Sequence, residues 1–307
     1  MLINLLILII GFILLSRGAD ILVDGSSAMA RRFKIPEIII GLTIVACGTS
    51  APEAAVSISS VINGAADVGI GNILGSNIAN IFLILGISAI ISNLYVQKNT
   101  ILYEIPFLCF ISVLLMFMGF QYGVISRVSA LVLCVLFLLF GVYLFIIAKH
   151  QKPEATEIEN MSAIKMIVFI VLGIAALVIG AKLTINSATE IARALHVSER
   201  IIGLTIIAFG TSLPELVTCI SAAIKKHSDL VIGNIIGSNL FNILFVLGIT
   251  GLIKPIPFEH EFLIDSALGI VATILLWLFV IRDKKLGTAK GIIFFVLYIL
   301  YVIYLIK

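Results

Sequence analysis

Charged side chains are scarce in this chain. They make up 12% of its 307 residues, against about 25% in a soluble domain. With 61% of residues hydrophobic, that scarcity excludes an ordinary soluble fold and indicates a polytopic membrane protein. The net charge of +3 is too small and too scattered for a nucleic-acid surface. Cysteine is also sparse. Cys47, Cys109, Cys134 and Cys219 all lie in apolar runs rather than in paired loop positions, so neither a disulfide framework nor a CxxC metal site is indicated and they read as small core residues. His150, His196, His227 and His260 fall near loops or helix ends. A membrane-buried serine would therefore lack the base that hydrolysis needs. The opening stretch "MLINLLILIIGFILL" lacks a basic segment and a small-residue cleavage site, and reads as a first span rather than a removable signal peptide.

Long apolar runs are what the chain does have. A helical span needs roughly 20 such residues, and ten runs qualify: about 2–24, 37–62, 68–92, 101–120, 126–148, 163–184, 199–224, 230–253, 262–281 and 290–306. Residues 36–91 align without a gap on 198–253, with 30 of the 56 positions identical. The register extends upstream, where Gly11, Leu15, Gly18, Ala19, Ala30 and Arg31 fall on Gly173, Leu177, Gly180, Ala181, Ala192 and Arg193. Five spans per half is an odd number, so the second half enters the membrane from the opposite side, as in the inverted repeats of secondary transporters. The expected architecture is an all-α polytopic membrane protein of ten transmembrane helices in two inverted five-helix repeats. Residues 1–148 form the first repeat, 149–162 a linker and 163–307 the second, within one integrated membrane domain.

Basic residues orient this arrangement. One side collects Arg31, Arg32, Lys34, Lys98, Lys149, Lys152, Lys225, Lys226, Arg282, Lys284, Lys285 and Lys290; the other has mainly Arg127, Arg193, Arg200, Lys254 and Lys307. By the positive-inside rule the first side is cytoplasmic, which puts both termini outside and the linker inside.

The polar residues at membrane depth concentrate in two motifs, "ACGTSAPE" at 46–53 and "AFGTSLPE" at 208–215. Pro52 and Pro214 have no N–H and clash with the carbonyl four residues earlier, so each helix is expected to break near Gly48 and Thr49, or Gly210 and Thr211. Unwound backbone survives in a membrane only where it is buried in protein or lines a watery cavity, and freed carbonyls there are oxygen ligands for a hard cation. Glu53 and Glu215 fall near the middle of their spans, where an ionised group costs about 2.5–3.5 kcal/mol even on the lenient scale. No basic residue sits at that depth in the same spans. A bound cation explains both carboxylates; the alternative is a pair of protonated glutamic acids locking helices by hydrogen bonds.

The next span of each half carries "GNILGSNIAN" (71–80) or "GNIIGSNLFN" (233–242). Ser76 and Asn80, like Ser238 and Asn242, are four residues apart and share a helical face, whereas Asn77 projects away from it. Gly71 and Gly75, with Gly233 and Gly237, make a small-xxx-small pattern that serves close helix packing as readily as ion binding. Two carboxylates with freed carbonyls such as those of Thr49 and Thr211 can supply the roughly six to eight oxygens that Ca²⁺ prefers. Ser50, Ser76, Asn80 and their repeat mates widen the cluster enough for several monovalent ions. An all-oxygen site without Cys or His argues against zinc or copper.

"GTSAPE" and "GTSLPE", each followed after about twenty residues by "GN…GSN…N", resemble the two alpha-repeats of the sodium/calcium exchangers of the calcium:cation antiporter superfamily, in the prokaryotic form without a regulatory domain. The resemblance covers nearly the whole chain. It implies electrogenic exchange of about three Na⁺ for one Ca²⁺ by alternating access, no enzymatic activity, no cofactor beyond the transported ions, and no obligatory protein partner in the lipid bilayer of a prokaryotic cell membrane. Carried over, the calcium ligands are the carboxylates of Glu53 and Glu215 and the carbonyls of Thr49 and Thr211. Sodium ligands add Ser50, Ser212, Ser76, Ser238 and the carbonyls of Ala46 and Ala208, with Asn80 and Asn242 lining the centre. Some relatives carry aspartate at the second of these asparagine positions, so the charge at the centre departs from theirs.

The nearest alternative is a Ca²⁺/H⁺ antiporter, since a buried glutamate carries H⁺ as readily as Na⁺. That branch resembles the chain less, because its glutamate sits in a "GN-x-x-E" context. A cation channel is a different class, but a continuous pore does not need two inverted halves. Asp20 aligns with Lys182, with Arg17 nearby. The expectation for these is either an ion pair between the two long first helices or snorkelling near helix ends.

Overall fold

The computed structural model describes residues 2–150, 161–195 and 208–306. Apolar runs fold into helices because a bilayer offers no partner for backbone N–H and C=O groups, and a helix satisfies them internally. The helices are α1 (Leu2–Phe33), α2 (Glu37–Thr49), α3 (Ala51–Ile62), α4 (Ala66–Ile91), α5 (Thr100–Tyr122), α6 (Arg127–His150), α7 (Ala163–Ala194), α8 (Ala208–Thr211), α9 (Leu213–Ile224), α10 (Ser228–Ile253), α11 (His260–Ile281) and α12 (Thr288–Ile306). Among the described residues eight helices are long and apolar enough to cross a bilayer, and the bent pair α2 and α3 makes a ninth. The expected seventh span is represented by α8 and α9; its residues 199–207 lie outside the described residues, as does the linker segment 151–160. The protein is a multi-pass helical membrane protein.

Four two-residue strands show that the halves are inverted. β1 (Leu94–Tyr95) pairs with β4 (Lys285–Leu286), and β2 (Val124–Ile125) pairs with β3 (Ile256–Pro257), both antiparallel. Helix α5 runs from β1 to β2, so the two ribbons cap opposite ends of the bundle. β1 and its repeat mate β3 therefore lie at opposite ends. The described basic residues of the richer set gather at the β1·β4 end, where Ser228 Oγ meets the Asn93 carbonyl at 3.5 Å and the Arg32 guanidinium the Met161 carbonyl at 3.2 Å. Three helices finish there on a lysine in the left-handed region, Lys34 (φ 56°), Lys226 (φ 63°) and Lys284 (φ 50°).

Burial separates an inner layer from a lipid-facing one. The apolar windows of α4 and α10 are 83% and 89% buried, whereas those of α6 and α12 are 22% and 17%. Phe117, Leu138, Phe145 and Ile164 stand on the outer surface, as the surrounding hydrocarbon permits. Helices α1 and α7 extend past their apolar runs and cross antiparallel on glycine. A Cβ built on Gly18 would lie 3.0 Å from the Gly173 carbonyl oxygen, and one on Gly180 2.9 Å from that of Gly11. Gly233 and Gly237 likewise take up packing, against Gly41 and Leu42 of α2.

Candidate cation site

Helix α2 ends and α3 begins at Ser50 (φ −81°, ψ 7°), with a bend of 49°. The repeat mate Ser212 has φ −87° and ψ 4° between α8 and α9. The breaks thus fall one or two residues after the expected positions. Pro52 and Pro214 occupy the first turn of the following helix, where a missing N–H costs nothing, and the serine takes the non-helical conformation. Backbone bonds from Ser50 N–H to Ala46 O and from Ala54 N–H to Ser50 O, each 3.0 Å, bridge the first break. Pro52 offers no N–H to the Gly48 carbonyl. The carboxylates come next, Glu53 in the first turn of α3 and Glu215 in that of α9, where the positive end of the helix dipole favours a negative charge.

Each glutamate reaches across to the other half. Ser212 Oγ donates to Glu53 Oε1 at 3.1 Å, and Ser50 Oγ to Glu215 Oε1 at 2.7 Å. Ser212 Oγ also lies 3.3 Å from Ser76 Oγ. Both glutamates are 1% exposed, and Thr49, Ser50, Thr211, Ser212, Ser76 and Ser238 are buried with them. The second oxygen of each carboxylate has no hydrogen-bond partner among the described residues. A buried carboxylate left this way is costly unless a positive charge compensates it. Ala46 is buried beside the break, and its carbonyl oxygen lies 3.4 Å from Thr49 Oγ1. Ala208 is the first residue of α8.

The asparagines form a second layer with the same two-fold pattern. Asn80 Nδ2 donates to Asn239 Oδ1 at 2.9 Å, Asn242 Nδ2 to Asn77 Oδ1 at 3.2 Å, and Asn239 Nδ2 to the Asn77 carbonyl at 3.2 Å. Asn77 therefore belongs to this network, contrary to the expectation that it turns away. The reason is that α4 and α10 pack directly on each other, so a side chain leaving one helical face of α4 meets the facing helix. Asn80 and Phe241 each open a π-helical stretch, Asn80–Leu85 and Phe241–Leu247, a widening of the helix that recurs at functional sites. The amide oxygens of Asn80 and Asn242 are buried and unpaired. With the two carboxylate oxygens they make four unpaired buried oxygens in two repeat-related pairs.

Three features were not anticipated from the sequence. Asn72 and Asn234 hold the motif threonines: Thr49 Oγ1 donates to Asn234 Oδ1 at 3.0 Å and Thr211 Oγ1 to Asn72 Oδ1 at 3.2 Å. Their signal was present, since they match in the repeat and precede Ser76 and Ser238 by one helical turn. Cys219 is more than a small core residue, because its sulfur receives the Asn234 amide at 3.3 Å. Asp20 pairs with α9 rather than with Lys182. Ser221 Oγ donates to Asp20 Oδ1 at 2.6 Å, and Lys225 Nζ lies 3.6 Å from Asp20 and 2.7 Å from Asp24. The side-by-side run of α1 and α9 brings them together.

Among the described residues no three His, Cys, Asp or Glu side chains cluster, so a nitrogen- or sulfur-rich site of the zinc or copper type is not formed there. The chemistry on offer is two carboxylates within neutral oxygens, buried between inverted halves of a multi-pass bundle. That combination defines a membrane transporter of hard cations.

The sodium/calcium exchanger protein family model matches residues 3–147 and 165–307, and the chain belongs to that family. The uncharacterized membrane protein MJ0091 of Methanocaldococcus jannaschii is 36% identical over 295 residues, covering 94% of both chains. The sodium/calcium exchanger MaX1 of Methanosarcina acetivorans is 30% identical over 338 residues, covering 96% of both. Among solved structures, the sodium-calcium exchanger NCX_Mj soaked with Na⁺ and Sr²⁺ superposes with a TM-score of 0.88 at 34% identity, covering 97% of each chain. The chain is thus a cation/Ca²⁺ antiporter, a transporter and not an enzyme, with Ca²⁺ and Na⁺ as the ions of its family.

Proposed function

We propose that the protein exchanges about three Na⁺ for one Ca²⁺ by alternating access, and that the ions bind at the two breaks. The observation that carries this reading is the set of four buried, unpaired oxygens on Glu53, Glu215, Asn80 and Asn242. Glu53 and Glu215 neutralise one Ca²⁺, and the carbonyls of Thr49 and Thr211 complete its shell. Na⁺ uses the same carboxylates with Ser50, Ser212, Ser76, Ser238 and the carbonyls of Ala46 and Ala208, while Asn80 and Asn242 line the centre. The basic β1·β4 end faces the cytoplasm of a prokaryotic cell, both termini face outside, and neither a cofactor nor a protein partner is required.

Two oppositely directed halves of one site, tied together by the crossed Ser–Glu bonds, support alternating access. Ca²⁺/H⁺ exchange is the second reading, favoured by the same unpaired carboxylate oxygens, which a proton satisfies as well as a metal ion does. Purified protein in liposomes distinguishes them. An outward Na⁺ gradient should drive ⁴⁵Ca²⁺ uptake, and a pH gradient without Na⁺ should not; uptake driven by the pH gradient alone would replace sodium with protons in the proposal.

A further inference from the structure

Asn72 and Asn234 each join three elements. Asn72, on α4, sends its amide to Ser57 Oγ at 3.1 Å and toward the Glu53 carbonyl at 3.5 Å, both on α3 of its own half. Its carbonyl oxygen receives the hydroxyl of Thr211, in the break of the other half. Asn234, on α10, sends its amide to Cys219 Sγ on α9 and receives Thr49 Oγ1 from the first half. Ser57 and Cys219 each lie one helical turn after a glutamate, and so share its face. Each asparagine therefore links the glutamate-bearing helix of its own half to the threonine at the break of the opposite half. Ser238 Oγ adds a long contact to Asn234 Oδ1 at 3.5 Å.

A threonine hydroxyl has one hydrogen to give. For Thr49 the Asn234 Oδ1 contact at 3.0 Å is shorter than that to the Ala46 carbonyl at 3.4 Å, and the Glu215 carboxylate is also within reach of the hydroxyl. Threonine is branched at Cβ, so fixing the hydroxyl fixes χ1 and with it the last helical residue before the break. Asn234 is fully buried and Thr49 is as well, so water does not compete for this bond.

We propose that Asn72 and Asn234 are positioning residues: crossed clamps that hold the backbone of Thr211 and Thr49 so that each threonine carbonyl is ready for the ion. This rests on the reading that those carbonyls ligate Ca²⁺. The two clamps are unequal, because Asn72 is anchored on a hydroxyl and Asn234 on a thiol, the weaker acceptor.

The test measures ⁴⁵Ca²⁺ exchange in liposomes for Asn234→Ala, Thr49→Val, Thr49→Ser and the double variant Asn234→Ala/Thr49→Val. Loss of one neutral buried hydrogen bond corresponds to about a three- to tenfold rise in the KM for Ca²⁺, with a smaller change in maximal rate. Asn234→Ala and Thr49→Val should each show it, the double variant should be no worse than either, and Thr49→Ser, which keeps the hydroxyl, should show a smaller rise than Thr49→Val. Multiplying effects in the double variant, or a parental KM in Thr49→Val, would overturn the clamp. If Asn234→Ala does not purify as a monodisperse protein, the Thr49→Val and Thr49→Ser pair decides alone. Glu53→Gln separates the two readings: retained ⁴⁵Ca²⁺ binding there overturns the site itself. Lost binding there, with an unchanged KM in Asn234→Ala, overturns only the clamp.

Discussion

Glutamine keeps the shape of glutamate but removes its charge and one acceptor, so Glu53→Gln and Glu215→Gln probe charge at constant volume. Each carboxylate has one oxygen bonded to a serine of the other half and one unpaired. A Gln carbonyl oxygen can keep the serine bond, and the fold should survive. Calcium exchange is expected to vanish in either variant, because half of the charge that balances Ca²⁺ is gone. Parental calcium flux would contradict the proposed site. Asn80 and Asn242 support a second expectation at this scale. Both are neutral and engaged through their amides with Asn239 and Asn77, so they add no negative charge that would favour a co-transported K⁺, whereas the resemblance sets Asn242 against aspartate in some relatives. Exchange should run equally fast in K⁺-free and K⁺-containing buffer at clamped membrane potential. A requirement for K⁺ would show that charge at these two positions does not decide the matter.

Helices α1 and α7 meet backbone to backbone, and this contact is sensitive to volume. A Cβ on Gly18 would lie 2.9 Å from Ala176 Cβ and 3.0 Å from both the Gly173 oxygen and the Leu177 nitrogen, so a larger residue must push two helices apart. Gly18→Leu is expected to cost about 1–3 kcal/mol or more, read as a lower thermal unfolding temperature in detergent. Gly141→Leu on α6 is the control, since a Cβ there meets nothing within 4 Å. Equal shifts in both variants would mean that the effect is not one of helix contact. The same element scale contains an asymmetry between the halves. Asp20, Asp24 and Ser27 lie on one face of α1; the two aspartates meet Ser221 and Lys225, and Ser27 lies 3.5 Å from His227 Nδ1. Their repeat mates on α7 are Lys182, Asn186 and Thr189, so this acidic face of α1 is not repeated at the matching positions of α7. These partly exposed pairs are worth about 0–1 kcal/mol each, which limits their part in stability.

Over the whole molecule, charge balance sets the transport energetics. If Glu53 and Glu215 hold the ions as proposed, they balance one Ca²⁺ and leave one positive charge over with three Na⁺, so exchange at three to one should move net charge. Each charge crossing 100 mV is worth about 2.3 kcal/mol, so an inside-negative potential would favour Na⁺ entry and Ca²⁺ exit. Reversal potentials in liposomes over several Na⁺ and Ca²⁺ gradients test this, and a flux independent of potential would require two Na⁺ per Ca²⁺ or proton coupling. Orientation has its own test. Lys284 and Lys285 are exposed between α11 and α12, and a lysine-specific protease should cut there in inside-out vesicles only. Cutting in right-side-out vesicles would reverse the proposed topology.

What the sequence by itself determined is whatever can be read along one dimension. Apolar run length located the spans, the match of 36–91 to 198–253 exposed the duplication, and odd parity gave the inversion that the β1·β4 and β2·β3 pairings display. Proline and paired glutamates marked where the helices break. Tertiary structure alone decided which side chains meet. Propensity does not register that Ser50 rather than Thr49 turns out of the helix, that α4 widens into a π-helix at Asn80, or that Asn77 faces α10. Those outcomes depend on what the opposite half presents. Asp20 finding Ser221 and Lys225 instead of Lys182 has the same cause: ion pairs follow the helix that packs alongside, and packing partners far apart in the chain are chosen by the shapes of whole faces.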